Sequence, residues 1–128
     1  MNDSGDAVKF FIKKSSDPKY LIVIHDDLDL PIGRFKVSFN RGAAGHKGVV
    51  AIADRVKSNA FWRIRIGISP QGSTGAIKKV SGKKKVTKYV LGNFSKKEET
   101  ILQKIYPEVA TALLGILSGE EAGKAMPL

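Results

Sequence analysis

The side chains able to do chemistry crowd into one stretch, Tyr20 to Gly48, with the sequence YLIVIHDDLDLPIGRFKVSFNRGAAGHKG. His25, Asp26, Asp27 and Asp29 follow the apolar run Tyr20 to Ile24. Carboxylates in this number could orient a general base or hold a divalent cation through oxygen. A metal needs several converging ligands, and Asp-Asp-Leu-Asp before a proline is also ordinary turn chemistry, so no metal site is expected here. His46 lies in Gly42-Ala-Ala-Gly45-His46-Lys47-Gly48, a segment with little side-chain bulk just before an amphipathic pattern. There a ligand could approach the backbone and the positive end of a helix, whose dipole favours a neutral imidazole. His25 and His46 are the only histidines, and strand alternation should send His25 away from Asp26, leaving His25 a packing residue. Arg63 and Arg65, spaced for one strand face, could meet successive phosphates or a carboxylate.

The elements that must position these groups follow from periodicity. Tyr20 to Ile24 is nearly all apolar and reads as a strand buried on both faces, with His25-Asp26-Asp27 at its C-terminal end, where ligands collect in open α/β sheets. Asp29 to Gly33 reads as a turn, and Phe35, Val37 and Phe39 then alternate with polar residues as in a strand. Val49, Ile52, Ala53 and Val56 have helical spacing, predicting a helix over about 46–57. Trp62, Ile64, Ile66 and Ile68 alternate with Arg63 and Arg65 in a further strand. An N-terminal helix is expected to about Lys14. Gln71 to Lys85 reads as a basic loop, and Thr87 to Leu91 as a short extended piece. Ser95-Lys-Lys-Glu98 is a capping box opening a helical stripe to about Ser118, which Pro107 should kink or divide. The expectation is one α/β domain spanning residues 1–128, a twisted mixed β-sheet flanked by helices.

Composition bounds the function. The 128 residues contain no cysteine, which excludes disulfides, cysteine-based zinc sites and a thiol nucleophile. No apolar run approaches membrane-spanning length and no secretory signal opens the sequence, so a soluble cytoplasmic protein without membrane association is expected. The formal net charge is +10, and it is uneven: residues 55–104 hold 13 Lys and Arg against 2 Asp and Glu, whereas residues 1–30 hold 4 against 6. A basic half beside an acidic turn suggests a polyanion held next to a reactive pocket, although lysines also simply solubilise a surface. Few aromatics are interleaved with the basic residues, which argues against a stacking platform for single strands.

Taken together, Met1-Asn2-x-Ser4-Gly5-x-Ala7-Val8, His25-Asp26-Asp27-Leu28-Asp29-Leu30-Pro31-x-Gly33, Gly45-His46-x-Gly48, Phe61-x-Arg63-Ile64-Arg65-Ile66-Gly67-Ile68 and Tyr89-Val90-Leu91-Gly92 resemble the bacterial-type peptidyl-tRNA hydrolases. The resemblance implies one α/β domain around a twisted mixed sheet, ordinarily monomeric, that cleaves the ester joining a peptide to tRNA without metal or other cofactor. By the same resemblance, Asp26 orients the catalytic histidine, Asn2, His46 and Lys47 lie where substrate binds, and Lys36, Arg63 and Arg65 lie near the tRNA-binding surface. Lys47 stands where the family has asparagine, replacing an amide that donates and accepts with a donor-only cation. The family's opening segment, with its first central strand and catalytic histidine, has no counterpart before Met1. The expectation is therefore a sheet lacking that strand and open to self-association, an Asp26 with no base to orient, His46 as the only candidate replacement base, and RNA binding retained better than hydrolysis. Two alternatives stand beside it: a non-catalytic tRNA- or ribosome-binding module, and a phosphate-ester enzyme using the Asp cluster with a metal.

Overall fold

The structure, a computed structural model, describes residues 4–11, 18–43, 46–70 and 92–119. Its elements are α1 (Ser4–Phe11), β1 (Ile22–Pro31), β2 (Phe35–Phe39), α2 (Lys47–Val56), β3 (Trp62–Ser69) and α3 (Lys96–Ser118), with a 3₁₀ turn at Pro18–Tyr20 before β1. The strands form one mixed sheet in the order β1-β3-β2, parallel between β1 and β3 and antiparallel between β2 and β3. This is the mixed α/β architecture expected, with helices on both faces.

Strand alternation divides the core in two. Ile22, Phe35, Val37, Trp62, Ile64 and Ile66 meet Leu102, Ile105, Val109, Ala112 and Ile116, the apolar stripe of α3. On the opposite face Leu21 and Val23 meet Val8 of α1 and Val49, Ile52 and Val56 of α2. Gly5 sets the approach of α1 to α2, since a Cβ there would lie 2.5 Å from the Ala51 carbonyl oxygen. Asp6 pairs with Arg55 across the same contact.

Two expectations change, and a third narrows. β1 is an outer strand and not buried on both faces: Ile24 is 49% exposed, because only β3 pairs with it among the described residues. The acidic cluster is strand and not turn, since β1 runs to Pro31 with a shift of register between Asp27 and Pro31. The extra length is accommodated by Gly67, where a Cβ would sit 2.1 Å from the Pro31 carbonyl oxygen, and by Ser69, whose hydroxyl donates to the Leu28 carbonyl. The chain then reverses over Ile32 and Gly33, with Arg34 N–H donating to the Pro31 carbonyl at 3.2 Å and Gly33 at φ 93°, a conformation that glycine adopts without strain. Finally, Pro107 neither divides nor ends α3, which is a single helix of 23 residues. Pro107 and Gln103, the residue whose carbonyl it leaves without an N–H, are both exposed, so water can take that carbonyl.

The capping box forms as expected, with Glu98 N–H donating to Ser95 Oγ at 3.2 Å and Ser95 N–H donating to Glu98 Oε1 at 2.9 Å. The expected loop over 71–85, the extended piece at 87–91 and Lys14 lie outside the described residues.

Candidate active site

The site gathers where the C-terminal half of β1 meets the start of α2. α2 begins there because His46 is its N-cap, in extended conformation, with Nδ1 accepting the Val49 N–H at 3.2 Å. A nitrogen that accepts is unprotonated, so the proton of neutral His46 is on Nε2. Nε2 donates it to Asp26 Oδ1 at 2.9 Å. Asp26 thus holds a histidine from 20 positions along the chain. That hydrogen bond is the main reason its carboxyl titrates below the ordinary value; partial burial works in the opposite direction.

His25 belongs to the same constellation. Its ring lies edge-on to His46, centroids 4.7 Å apart. Nδ1–H donates to the Asp26 carbonyl oxygen at 2.7 Å, which leaves Nε2 as acceptor, facing Arg63 Nη1 at 3.4 Å. Burial lowers the His25 pKa; the bond to the Asp26 carbonyl opposes this, and the charges of His46 and Arg63 add to it. His25 therefore does not aim its ring at the Asp26 carboxylate, yet it lies in the site, beside the histidine that does.

Arg63 and Arg65 share a strand face but have different surroundings. Arg63 is 3% exposed and donates through Nη2 to the Gly42 carbonyl at 2.8 Å, so its donors point into the protein. Burial lowers its pKa, Arg65 adds to that, and Asp27 opposes it. Arg65, partly exposed, donates through Nε to Asp27 Oδ2 at 2.6 Å and reaches Ser38 Oγ at 3.4 Å. Lys36 of β2 is its register partner, so these two cations neighbour each other on the sheet. Lys47 is exposed in the first turn of α2, and Asn2 lies outside the described residues.

The three acidic side chains do not converge. Asp26 serves His46, Asp27 serves Arg65 and the Asp29 N–H at 2.7 Å, and Asp29 is exposed. Among the described residues no group of three or more histidines and carboxylates is placed to hold a metal. An open cleft of about 570 Å³ lies elsewhere, along α2 and the turn after it, lined by Val50, Ala53, Asp54, Lys57 and Asn59 among others.

The sequence matches the family model for peptidyl-tRNA hydrolase over residues 1–127. The chain belongs to the peptidyl-tRNA hydrolase family. It is 40% identical over 113 residues to the peptidyl-tRNA hydrolase of Coprothermobacter proteolyticus, covering 88% of this chain and 53% of that protein. It is 42% identical over 106 residues to that of Oleidesulfovibrio alaskensis, covering 82% and 48%. The crystal structure of peptidyl-tRNA hydrolase from Acinetobacter baumannii superposes with a TM-score of 0.73 at 25% identity, over 94% of this chain and 57% of that one. The chain spans about half the length of the curated relatives it matches.

Periodicity alone could not bring Asp26 to His46. The pairing depends on the parallel β1-β3 register and on α2 starting beside the end of β1. The burial of Arg63 was hidden because alternation marks a residue's face and not whether that face is covered.

Proposed function

We propose that residues 1–128 form one peptidyl-tRNA hydrolase-like domain that binds peptidyl-tRNA and cleaves the ester between peptide and tRNA, with Asp26 and His46 as its reacting centre. The observation that carries this reading is the 2.9 Å bond from His46 Nε2 to Asp26 Oδ1. A carboxylate kept ionised on one ring nitrogen stabilises the imidazolium that forms when the other takes a proton from water. That other nitrogen, Nδ1, caps the Val49 N–H at a long 3.2 Å, so accepting a proton means giving up a cap worth about 1 kcal/mol. Turnover is accordingly slow. Lys36 and Arg65 mark the side on which the tRNA phosphates lie, and the acyl end approaches His46 and Lys47. The setting is the cytoplasm, where peptidyl-tRNA is made.

A second reading, a tRNA-binding module without hydrolysis, is favoured by one specific observation: both nitrogens of both histidines already have partners. Release of labelled acetyl-aminoacyl ester from tRNA, measured beside filter binding of the same tRNA, separates the two. Release that is lost in His46→Ala and Asp26→Ala supports hydrolysis; binding with release no faster than without protein supports the module; neither activity overturns both.

A further inference from the structure

We infer that Arg63 is the positioning residue of this site: its guanidinium, buried on the sheet, ties the loop that delivers His46 to the strand that carries His25 and Asp26. A buried cation is ordinarily met by a carboxylate. Arg63 is 3% exposed, yet among the described residues no carboxylate lies within hydrogen-bond distance of it, and Asp27 is bonded to Arg65 instead. Its donors go to two acceptors that belong to the site, the Gly42 carbonyl at 2.8 Å and His25 Nε2 at 3.4 Å.

Each contact has a consequence further along. Fixing the Gly42 carbonyl anchors the chain just before the turn in which His46 N–H donates to the Ala43 carbonyl at 3.0 Å. That turn sets the N-cap, and the cap directs His46 Nε2 to Asp26. The contact to His25 selects a tautomer. With Nδ1–H on the Asp26 carbonyl, Nε2 must keep its lone pair to receive the Arg63 N–H; a protonated His25 would set N–H against N–H. The groups facing His25 are Asp26 and Asp27 on its own strand, Arg63 from β3 and His46 from the start of α2; its register partner Arg65 is already held by Asp27. Burial, with the Arg63 guanidinium adding to it, holds it neutral against Asp27 and the carbonyl bond. His25 is thereby a neutral neighbour to His46, the ring that would carry charge during proton transfer. Arg63 touches neither substrate nor a reacting atom, and acts through these two rings.

The importance of this role for catalysis rests on the proposed hydrolase reading, but its first test needs no RNA. Long-range ¹H–¹⁵N spectra of the imidazoles report tautomer and titration for the unaltered chain, Arg63→Met and Arg63→Lys. In Arg63→Met, His25 is expected to titrate higher than in the unaltered chain, and the His46 Nε2–H signal to exchange faster. In Arg63→Lys, which keeps the charge but cannot fork to two acceptors, His25 stays neutral while the His46 signal still exchanges faster. If Arg63→Met does not fold, the Arg63→Lys result decides. Folded variants with both histidines unchanged in tautomer and exchange would overturn the proposal, even with a lowered melting temperature, since that is all a merely structural arginine would give. Altered imidazoles in a chain without tRNA affinity would uphold the positioning role and count against the hydrolase reading alone.

Discussion

At Asp26 and His25 the geometry fixes how protons are distributed, and that distribution gives stability a pH dependence of known sign. The His25 pKa lies below the ordinary 6.5 because charging a buried ring is costly, and that of Asp26 lies below the ordinary 3.8 because its charged form accepts the His46 N–H. In each case the unfolded chain binds more protons across the window between the two values, so stability rises with pH there. The His25 contribution is whole above about pH 6.5 and falls away as pH drops toward its folded value; that of Asp26 is whole above about pH 4 and is lost below. Urea unfolding is therefore expected to show less stability at about pH 5 than at about pH 7, and His25→Gln to flatten that difference. An unchanged slope in His25→Gln would assign the dependence to another group. Little of this was legible beforehand. The resemblance implies that Asp26 orients a histidine, but which histidine it holds depends on a contact between residues 20 positions apart.

Glycine and proline punctuate the elements, and their effects here depend on what lies opposite. At Gly67 a Cβ would come within 2.1 Å of the Pro31 carbonyl oxygen and 2.8 Å of Leu30, both on the neighbouring strand where the register shifts. Backbone cannot step aside as a flexible side chain does, so Gly67→Ala is expected to cost about 3 kcal/mol in chemical denaturation. At Gly42 nothing lies within 4 Å, and Gly42→Ala should change stability by no more than about 0.5 kcal/mol. Equal effects would show that the close approach at Gly67 is relieved elsewhere. Pro107 gives the opposite sign. An interior proline removes a helical hydrogen bond at about 3 kcal/mol, against roughly 1 kcal/mol saved in the unfolded chain. Since the residue is exposed, Pro107→Ala should stabilise by about 1–2 kcal/mol, read as a higher melting temperature. The helices were legible because their ends carry their own signals: Ser95 and Glu98 satisfy each other, and the apolar spacing of Val49, Ile52 and Val56 predicted α2 to within a residue of Lys47–Val56. β1 was misread because its extent depends on β3. The aspartates look like a turn until Gly67 and Ser69 are seen to hold the bulge.

For the molecule as a whole, charge decides what comes near the site and geometry decides what stays. The excess of 13 cationic over 2 anionic residues in 55–104 predicts tRNA affinity dominated by phosphate contacts and counterion release, which falls steeply with salt. Within that excess the cations are not equivalent. Arg63 is committed inside the protein, whereas Arg65, anchored through Nε by Asp27 and neighboured by Lys36, keeps part of its side chain exposed. On the proposed reading, Arg65→Ala removes a phosphate partner and leaves the Asp27 charge uncovered, so it loses attraction and adds repulsion. Lys83→Ala removes one of five lysines between Lys78 and Lys85, whose neighbours can substitute for it. Filter binding over a series of salt concentrations should therefore show Arg65→Ala weakening tRNA binding and reducing the salt slope by about 1, with Lys83→Ala doing less on both counts. Asp27→Asn separates the two parts of the argument. If orientation matters, freeing Arg65 weakens binding although the net charge rises; if only the field matters, binding tightens. Equal losses for Arg65→Ala and Lys83→Ala, or affinity that does not respond to salt, would remove Arg65 from the tRNA-facing surface.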